Sequence, residues 1–189
     1  MNVTKLIERT EIYELFDTEI GRCGIAWTAK GISRVQLPEQ SVTALRARLE
    51  STGAQAVKAG MDRPRFVDHA IAKLQKHLRG KIQEFDDVPL DLRHVPPFHQ
   101  KVYRALQKIE PGAVTTYGAL AEMAGSPGAS RAVGQAMAKN PLTLLVPCHR
   151  VIGSAGKLGG FSAYGGGMTK TRLLGLEGTH IGTKQDARY

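Results

Sequence analysis

The sequence predicts an α+β fold in which a strand-rich first half is joined to a helical second half. The first forty residues contain short runs typical of strands, and apolar residues recur at helical spacing beyond residue 97. Charge divides in the same place, since residues 1–92 carry 14 basic and 13 acidic side chains and residues 93–189 carry 12 and 4. We therefore predict two domains, residues 1–92 and 93–178, followed by a flexible tail over 179–189.

The first half predicts a hairpin followed by two helices. Residues 25–28 and 32–37 have strand composition and flank a short glycine-containing turn. Apolar residues between 42 and 49 recur at helical spacing, and residues 66–78 form a longer amphipathic pattern that ends before a glycine. Residues 51–64, rich in glycine, alanine and lysine, predict a loop.

The second half predicts short helices that follow a proline-containing crossing. Three prolines between residues 84 and 97 mark the crossing between the two domains. The helices predicted after it span residues 98–109, 117–124, 129–139 and 168–176. The two middle helices are separated by a Gly/Pro turn, which favours a helix–turn–helix unit. The alternative is a pair of helices that only pack together.

Composition and charge narrow the classes of function. No apolar run approaches the ~20 residues of a membrane span, and the first residues lack the apolar core of a secretory signal, so we expect no membrane partner. Two cysteines, Cys23 and Cys148, are too few for a disulfide framework and suit a reducing compartment, which predicts a cytoplasmic protein. The net charge of +9, concentrated in the second half, favours nucleic acid as the partner.

The most informative stretch surrounds Cys148. The apolar residues between 142 and 146 predict a buried strand that Pro147 ends, so that the thiol lies where the chain emerges. His149 follows directly, and a cysteine held beside a potential base is how proteins form a reactive thiolate. The alternative is that Cys148 is a small core side chain, since free cysteines are among the most buried residues.

Two neighbouring segments carry further functional signals. Arg131 lies in the first turn of the helix predicted over 129–139, and helices that read DNA contact it with their N-terminal residues. The alternative is that Arg131 is a solvated surface charge. Residues 153–167 are rich in glycine but lack the Gly-Lys-Ser/Thr of a phosphate-binding loop, so they predict a mobile lid or a pocket wall.

Together these blocks resemble the O6-alkylguanine-DNA alkyltransferase family. The resemblance spans about residues 97–178 and includes the sequence Pro-Cys-His-Arg-Val at 147–151. Further blocks in the order and spacing of the family lie at 116–121, 131–136, 139–141, 159–162 and 173–178. Residues 1–92 match only loosely. Phe161 stands where many members have tyrosine, and Thr143 replaces a proline that is common in some members.

The resemblance implies a fold and a reaction. The first domain would be a small α/β unit like ribonuclease H, and the second a helical, winged-helix-like unit that carries the helix–turn–helix. This unit would dock in the minor groove of double-stranded DNA and flip an O6-alkylated guanine into a pocket. The alkyl group would pass directly to the protein in a single irreversible reaction, so no cofactor is expected. We also expect a monomer.

The resemblance assigns the catalytic roles to five residues. Cys148 would be the nucleophile, and His149 would act through a water as its base. Glu177 would orient that histidine, as in a triad with a thiol as the attacking group. Asn140 would hold the turn near the cysteine. Tyr117 would press on the phosphate beside the lesion and help to protonate the leaving guanine.

The remaining roles concern DNA and the guanine pocket. Arg131 would fill the gap that the flipped base leaves. The implied DNA-binding residues are Arg131, Tyr117, Ala129, Ser130, Gly134 and Gln135. The implied pocket residues are Val146, Phe161, Ser162, Gly159 and Gly160, with main-chain carbonyls near Val146 and Cys148 binding the exocyclic amine. No metal is expected, because Cys23 and scattered histidines lack the spacing of a zinc site.

Three other functions remain as alternatives. The first is a lesion-binding protein that flips the base without reacting, against which Cys148 argues. The second is a helix–turn–helix regulator in which Cys148 is structural or senses redox state. The third is a Cys-His hydrolase, although no other feature of the sequence indicates recognition of a peptide or an ester.

Overall fold

The computed structural model of the chain describes residues 10–181. The expectations for the first residues and for positions 182–189 of the tail lie outside the described residues. Within the described part, no helix combines the length and apolar character that crossing a membrane would need.

A four-stranded sheet forms the first part of the fold. Its strands are β1 (Ile12–Thr18), β2 (Gly21–Thr28), β3 (Gly31–Gln36) and the short β4 (Gln55–Ala56). Their order is β3-β2-β1-β4; β2 runs antiparallel to both β1 and β3, whereas β4 runs parallel to β1. The predicted hairpin is confirmed as β2 and β3. The prediction of a loop over 51–64 is wrong at β4, where two exposed residues pair with the edge of β1.

Six α-helices complete the described fold. They are α1 (Val42–Glu50), α2 (Arg65–Leu78), α3 (Pro97–Leu106), α4 (Tyr117–Met123), α5 (Ser130–Ala138) and α6 (Gly167–Leu176). Their bounds agree with the predicted helices to within a few residues. The start of α4 is set by Thr116, whose hydroxyl oxygen accepts a hydrogen bond from the Ala119 N–H at 3.1 Å, as an N-cap residue does.

The crossing segment between the two halves packs against the sheet. The Ile32 N–H donates to the Pro89 carbonyl at 2.8 Å, and the Asp91 N–H donates to the Ile32 carbonyl at 2.8 Å. Gly31 permits this approach, because its φ is +150° and a Cβ there would lie 2.5 Å from the Pro89 carbonyl oxygen. The segment therefore joins the two halves along the edge of β3.

The prediction of a buried strand before Cys148 is wrong. Residues 142–146 instead form a tight turn, in which the Val146 N–H donates to the Leu142 carbonyl at 2.7 Å and Leu144 has a φ of 75°. The turn rests on the sheet, since the Val35 N–H of β3 donates to the Pro141 carbonyl at 2.8 Å. Residues 142–146 are thus apolar because they are buried between the two halves of the chain. They do not form a strand.

After this turn the chain passes through the motif at residues 147–151 into a second, smaller sheet. Cys148–Arg150 forms one turn of 3-10 helix, and β6 (Val151–Ile152) then pairs in parallel with β5 (Thr115–Thr116). This pairing brings the start of α4 beside the end of the motif.

Apolar side chains from both halves share one large core cluster, and a second, smaller cluster lies on the other face of the sheet. Successive residues of β2 point to opposite faces of the sheet. Ile25 and Trp27 join the large cluster with α2 and the second half of the chain, whereas Ala26 joins a smaller cluster with α1. Burying each large apolar side chain contributes about 1.5–3 kcal/mol, so the large cluster holds the two halves together.

The first residue of the predicted tail is hydrogen-bonded to the rest of the described chain. Residue 179, assigned to the flexible tail, is Thr179, whose N–H donates to the Leu174 carbonyl at 2.9 Å. Its hydroxyl donates to the Gly112 carbonyl at 2.6 Å. The first bond ties Thr179 to the end of α6, and the second ties it to the loop that follows α3.

Candidate active site

A cavity of about 260 Å³ lies over Cys148. The thiol residue itself is buried, with 5% of its surface exposed. Four elements contribute to the cavity: the start of α4, the inner face of α5, the turn that carries the cysteine and the glycine-rich loop. The residues that line it are Tyr117, Gly134, Met137, Ala138, Cys148, Gly160, Phe161 and Ser162. The cavity therefore combines the Cys148 thiol with mostly apolar and aromatic walls and the hydroxyl groups of Tyr117 and Ser162, as ligand sites do.

Asn140 makes two hydrogen bonds to the turn before Cys148. Its Nδ2 donates to the Val146 carbonyl at 2.8 Å, and its Oδ1 accepts from the Leu142 N–H at 3.0 Å. The Val146 carbonyl also accepts from the Cys148 N–H at 2.8 Å. Within the part of the chain that the structure describes, Val146 does not reach the cavity, because it is fully buried and its carbonyl already has two donors. A role for Val146 in the pocket stays a prediction.

His149 is fully buried and has one free ring nitrogen. Its Nε2 lies 3.0 Å from Glu177 Oε1. An ionised carboxylate only accepts hydrogen bonds, so the hydrogen of the neutral ring is on Nε2. Nδ1 is buried without a hydrogen-bond partner among the described protein atoms. Burial lowers the pKa of His149 and Glu177 opposes this, which leaves a neutral imidazole with an available lone pair.

Glu177 is the centre of a buried ionic cluster. Arg150 donates two hydrogen bonds to its carboxylate, from Nε to Oε2 at 2.9 Å and from Nη2 to Oε1 at 2.6 Å. His77 from α2 adds a third partner at 3.1 Å from Oε1. Burial alone would raise the pKa of Glu177, but the hydrogen bonds from His149, His77 and Arg150 outweigh it and hold the pKa well below its usual range.

The Cys148 thiol is protonated at rest. Burial raises its pKa, while a hydrogen bond from Asn140, the charge of Lys170 and backbone N–H groups act in the opposite direction. A thiol in this state needs a base before it can attack. The next residue, His149, has a ring nitrogen, Nδ1, that is not engaged in a hydrogen bond with the described protein atoms.

Lys170 links the cavity wall to the body of the protein. It is fully buried on α6, and its Nζ donates to the Val151 carbonyl at 2.6 Å and to the Gly160 carbonyl at 3.3 Å. Burial lowers the pKa of Lys170 to about 8, which the neighbouring Cys148 opposes. Lys170 therefore fastens the glycine-rich loop to β6.

The predicted pocket residues other than Val146 lie at or next to the cavity. Tyr117 is half-buried at the start of α4. Burial raises its pKa, and the nearby Cys148 raises it further. Gly159 has a φ of +70°, and a Cβ there would lie 3.3 Å from the Tyr117 hydroxyl oxygen, so a side chain would crowd the tyrosine. Phe161 packs against the core, and Ser162 is exposed at the rim.

The predicted DNA-binding residues other than Tyr117, which begins α4, lie on helix α5 or at its start. Arg131 and Gln135 are exposed, whereas Gly134 faces the cavity. Ala129 and Ser130 are half-buried at the beginning of the helix. One helix thus presents a basic side chain to solvent and forms a wall of the cavity with its other face.

Three charged or titratable residues at the site were missed by the sequence analysis. They are His77, Arg150 and Lys170. Each has a local signal, since each lies among apolar neighbours: Lys170 precedes Leu173 and Leu174 at helical spacing, for example. A buried charge requires a partner, but the pattern does not say which residue provides it.

Cys23 lies away from this site. It is buried in β2, where burial raises the pKa of its thiol to about 12 and a hydrogen bond with Thr18 opposes the shift. Within residues 10–181 no group of three or more His, Cys, Asp or Glu side chains is placed to hold a metal ion.

Comparisons with known proteins find relatives of the chain and a family that matches its second half. Residues 97–179 match the family described as "6-O-methylguanine DNA methyltransferase, DNA binding domain". A methylated-DNA–protein-cysteine methyltransferase of Mycolicibacterium paratuberculosis is 48% identical over 120 residues, covering 63% of this chain and 70% of the relative. One from Mycobacterium bovis is 36% identical over 162 residues, covering 86% and 88%.

A solved structure extends the likeness to most of the chain. The crystal structure of Mycobacterium tuberculosis OGT in complex with DNA has a TM-score of 0.71 and 36% identity, covering 88% of this chain and 92% of that one. The shared fold is a mixed α+β fold. Since relatives more than 30% identical are matched over most of their length, the chain belongs to the methylated-DNA–protein-cysteine methyltransferase family.

Proposed function

We propose that this protein repairs DNA by transferring an alkyl group from O6 of guanine in duplex DNA to its own Cys148. The observation that carries the proposal is the placement of Cys148 in a cavity next to His149, whose Nδ1 is free and whose Nε2 is held by Glu177. Membership of the family supports the same reaction, and a relative was crystallised with DNA.

The residues of the site act in sequence. His149 takes the thiol proton of Cys148 through a water, and Glu177 stabilises the imidazolium that forms. The thiolate attacks the alkyl carbon on O6. A carbon–sulfur bond forms while the carbon–oxygen bond breaks, and the electron pair of the broken bond goes to guanine. Tyr117 passes a proton to the departing guanine, which leaves as a neutral base.

The product explains why each molecule reacts once. The alkylated Cys148 is a thioether, which has no good leaving group and is no longer a nucleophile. The transferred group comes from the damaged DNA itself, so the reaction as written uses no further cofactor. The protein is therefore consumed as a reagent.

The helix–turn–helix formed by α4 and α5 presents the lesion to the cavity. It docks in the minor groove, Arg131 enters the base stack, and the guanine flips into the space beside Cys148. In this proposal residues 93–178 are a winged-helix-like domain for DNA binding and transfer. Residues 1–92 are a ribonuclease H-like domain that supports it. The protein acts as a monomer in the cytoplasm.

Intact-mass measurement and peptide mapping test the proposal. After mixing with a duplex that contains O6-methylguanine, the peptide with Cys148 should gain one CH₂ as the lesion disappears. No second turnover should follow. Tight binding without a change in mass would instead identify a lesion-binding protein, one of the alternatives drawn from the sequence.

Replacing Arg131 with alanine should slow repair of duplex DNA more than reaction with a free O6-alkylguanine base. The side chain is exposed on α5, which also forms a wall of the cavity, and the proposal gives it a role only where a base stack must be opened. Rates on both substrates measure the effect, and a ratio at least tenfold larger for duplex is expected.

The matched control is Arg104→Ala, which removes the same charge from an exposed position on α3. This variant should affect both substrates alike. An equal loss on both substrates for the Arg131 variant would mean that Arg131 takes no part in base flipping.

A further inference from the structure

Within the part of the chain that the structure describes, His77 is the residue of α2 that contacts the carboxylate of Glu177. It belongs to the first half of the chain. Only 1% of the residue is exposed, and its Nε2 lies 3.1 Å from Glu177 Oε1. On α2 it follows Leu74 by three residues and precedes Leu78, both of which are buried. A titratable ring thus occupies a position on the helix face that packs into the core.

Hydrogen bonding defines which nitrogen of His77 carries the hydrogen. The Gln83 backbone N–H points at Nδ1 at 3.2 Å, and a backbone N–H can only donate. Nδ1 must therefore accept, which places the hydrogen of the neutral ring on Nε2. That hydrogen points to Glu177, so a neutral His77 is already a donor to the carboxylate.

Packing fixes the ring in this orientation. Its centroid lies 5.4 Å from that of Phe85, with a tilt of 58° between the ring planes. Phe85 and Gln83 belong to the segment that follows α2, so the same stretch of chain holds the ring by an apolar face and by a hydrogen bond. His77 therefore offers its N–H from a rigid position.

The contact bears on the base of the reaction. Glu177 Oε1 accepts hydrogen bonds from His149, Arg150 and His77. The Arg150 guanidinium also donates to the Ile109 carbonyl at 2.5 Å. If the His77 donor is removed, the carboxylate keeps Arg150, His149 and the Gly112 N–H at 3.5 Å, and the charged guanidinium becomes the main influence on its position. His149 has no other described bond to its ring, so its orientation follows the position of Oε1.

We propose that His77 is a positioning residue for alkyl transfer, which fixes Glu177 and through it the ring of His149. The first half of the chain is then part of the catalytic apparatus, as well as a scaffold. This inference rests on the proposed function, because it concerns the rate of that reaction. It concerns a neutral hydrogen-bond donor and needs no change in protonation.

Two variants of nearly equal shape separate the donor from the packing. His77→Gln keeps an N–H donor at the end of an unbranched side chain, whereas His77→Met has the same length and no donor. Each protein molecule reacts once, so in a single-turnover assay at saturating duplex the amplitude counts folded molecules and the rate constant reports chemistry. We expect the rate constant of His77→Met to fall about tenfold, which is about 1.4 kcal/mol of barrier.

The glutamine variant should react within about twofold of the wild-type rate constant. The control is His69→Met, since His69 lies on the same helix but is exposed and binds Asp87 at 2.8 Å. It should react like the wild type. Duplex affinity should be the same for all four proteins, because His77 lies in the core.

Several outcomes would overturn the inference. A lower amplitude with an unchanged rate constant in the methionine variant would mean that His77 serves folding only. Equal rate constants for the methionine and glutamine variants would exclude a role for the donor. If the methionine variant did not fold, a glutamine variant that reacts tenfold more slowly than the wild type would exclude that role. Failure of the wild-type protein to gain mass would overturn the proposed function itself and is a separate result.

Discussion

Replacing Cys148 with alanine is expected to abolish alkyl transfer completely while the protein still binds duplex DNA. The sulfur atom forms the new bond to carbon, and none of the cavity-lining residues other than Cys148 offers a thiol. The elements proposed to hold DNA are α4 and α5, which the substitution does not touch. Intact mass after incubation with an O6-methylguanine duplex measures transfer, and a gel shift measures binding.

The second cysteine provides the matched control. Cys23→Ala removes a buried thiol from β2, far from the cavity, and should leave the mass gain of one CH₂ intact. Mass gain in the Cys148 variant would place the acceptor on another residue. Equal loss of duplex binding in that variant would show that Cys148 is needed for binding as well as for chemistry.

Replacing Glu177 with alanine should both destabilise the fold and slow transfer. The substitution leaves the Arg150 guanidinium buried without its carboxylate, and breaking a buried ionic pair costs about 3–5 kcal/mol of unfolding free energy. His149 would also lose the partner that orients its ring. Urea unfolding at neutral pH measures the first effect and the single-turnover rate constant the second.

The stabilising effect of Glu177 should depend on pH with a definite sign. The pKa of Glu177 is lower in the folded state than in the unfolded chain, so the folded protein holds the ionised form more strongly. The contribution is complete above the ordinary carboxyl range, about pH 4, and is lost as the pH falls below it toward the folded-state pKa. The difference between the wild type and Glu177→Ala should therefore narrow in acid.

An exposed carboxylate gives the control for this prediction. Asp17 binds Arg22 at 2.8 Å on the surface, where solvent screens the pair. Asp17→Ala should leave the urea midpoint almost unchanged. A similar effect for Asp17 and Glu177 would contradict the special role of the buried cluster.

Local patterns predicted most of the secondary structure. The helix predicted over 66–78 appears as α2, because the spacing of its apolar residues matches one helical face and a proline and a glycine flank its ends. The hairpin of β2 and β3 was predicted for a similar reason, since strand-forming residues flank a glycine turn. Such signals involve residues close in sequence, so the sequence alone carries them.

The error at residues 142–146 shows where this reasoning stops. A short apolar run reports burial, and burial alone does not distinguish a strand from a turn packed between two halves of a protein. Here the Val35 N–H of β3 binds the Pro141 carbonyl, and Leu144 adopts a positive φ. The hydrogen bond has no local sequence signal, because its partner strand lies about a hundred residues away. The residue type of Leu144 gives no sign of its positive φ either.

The sequence by itself determined the type of each major element and, through the motif around Cys148, the family and its chemistry. Tertiary structure alone decided that His77, His149 and Arg150 converge on Glu177, and that Lys170 turns inward. The physical reason is that a charge is tolerated in a core only where other chain segments supply its partners. The identity of those segments depends on how the two halves pack, which no local pattern records.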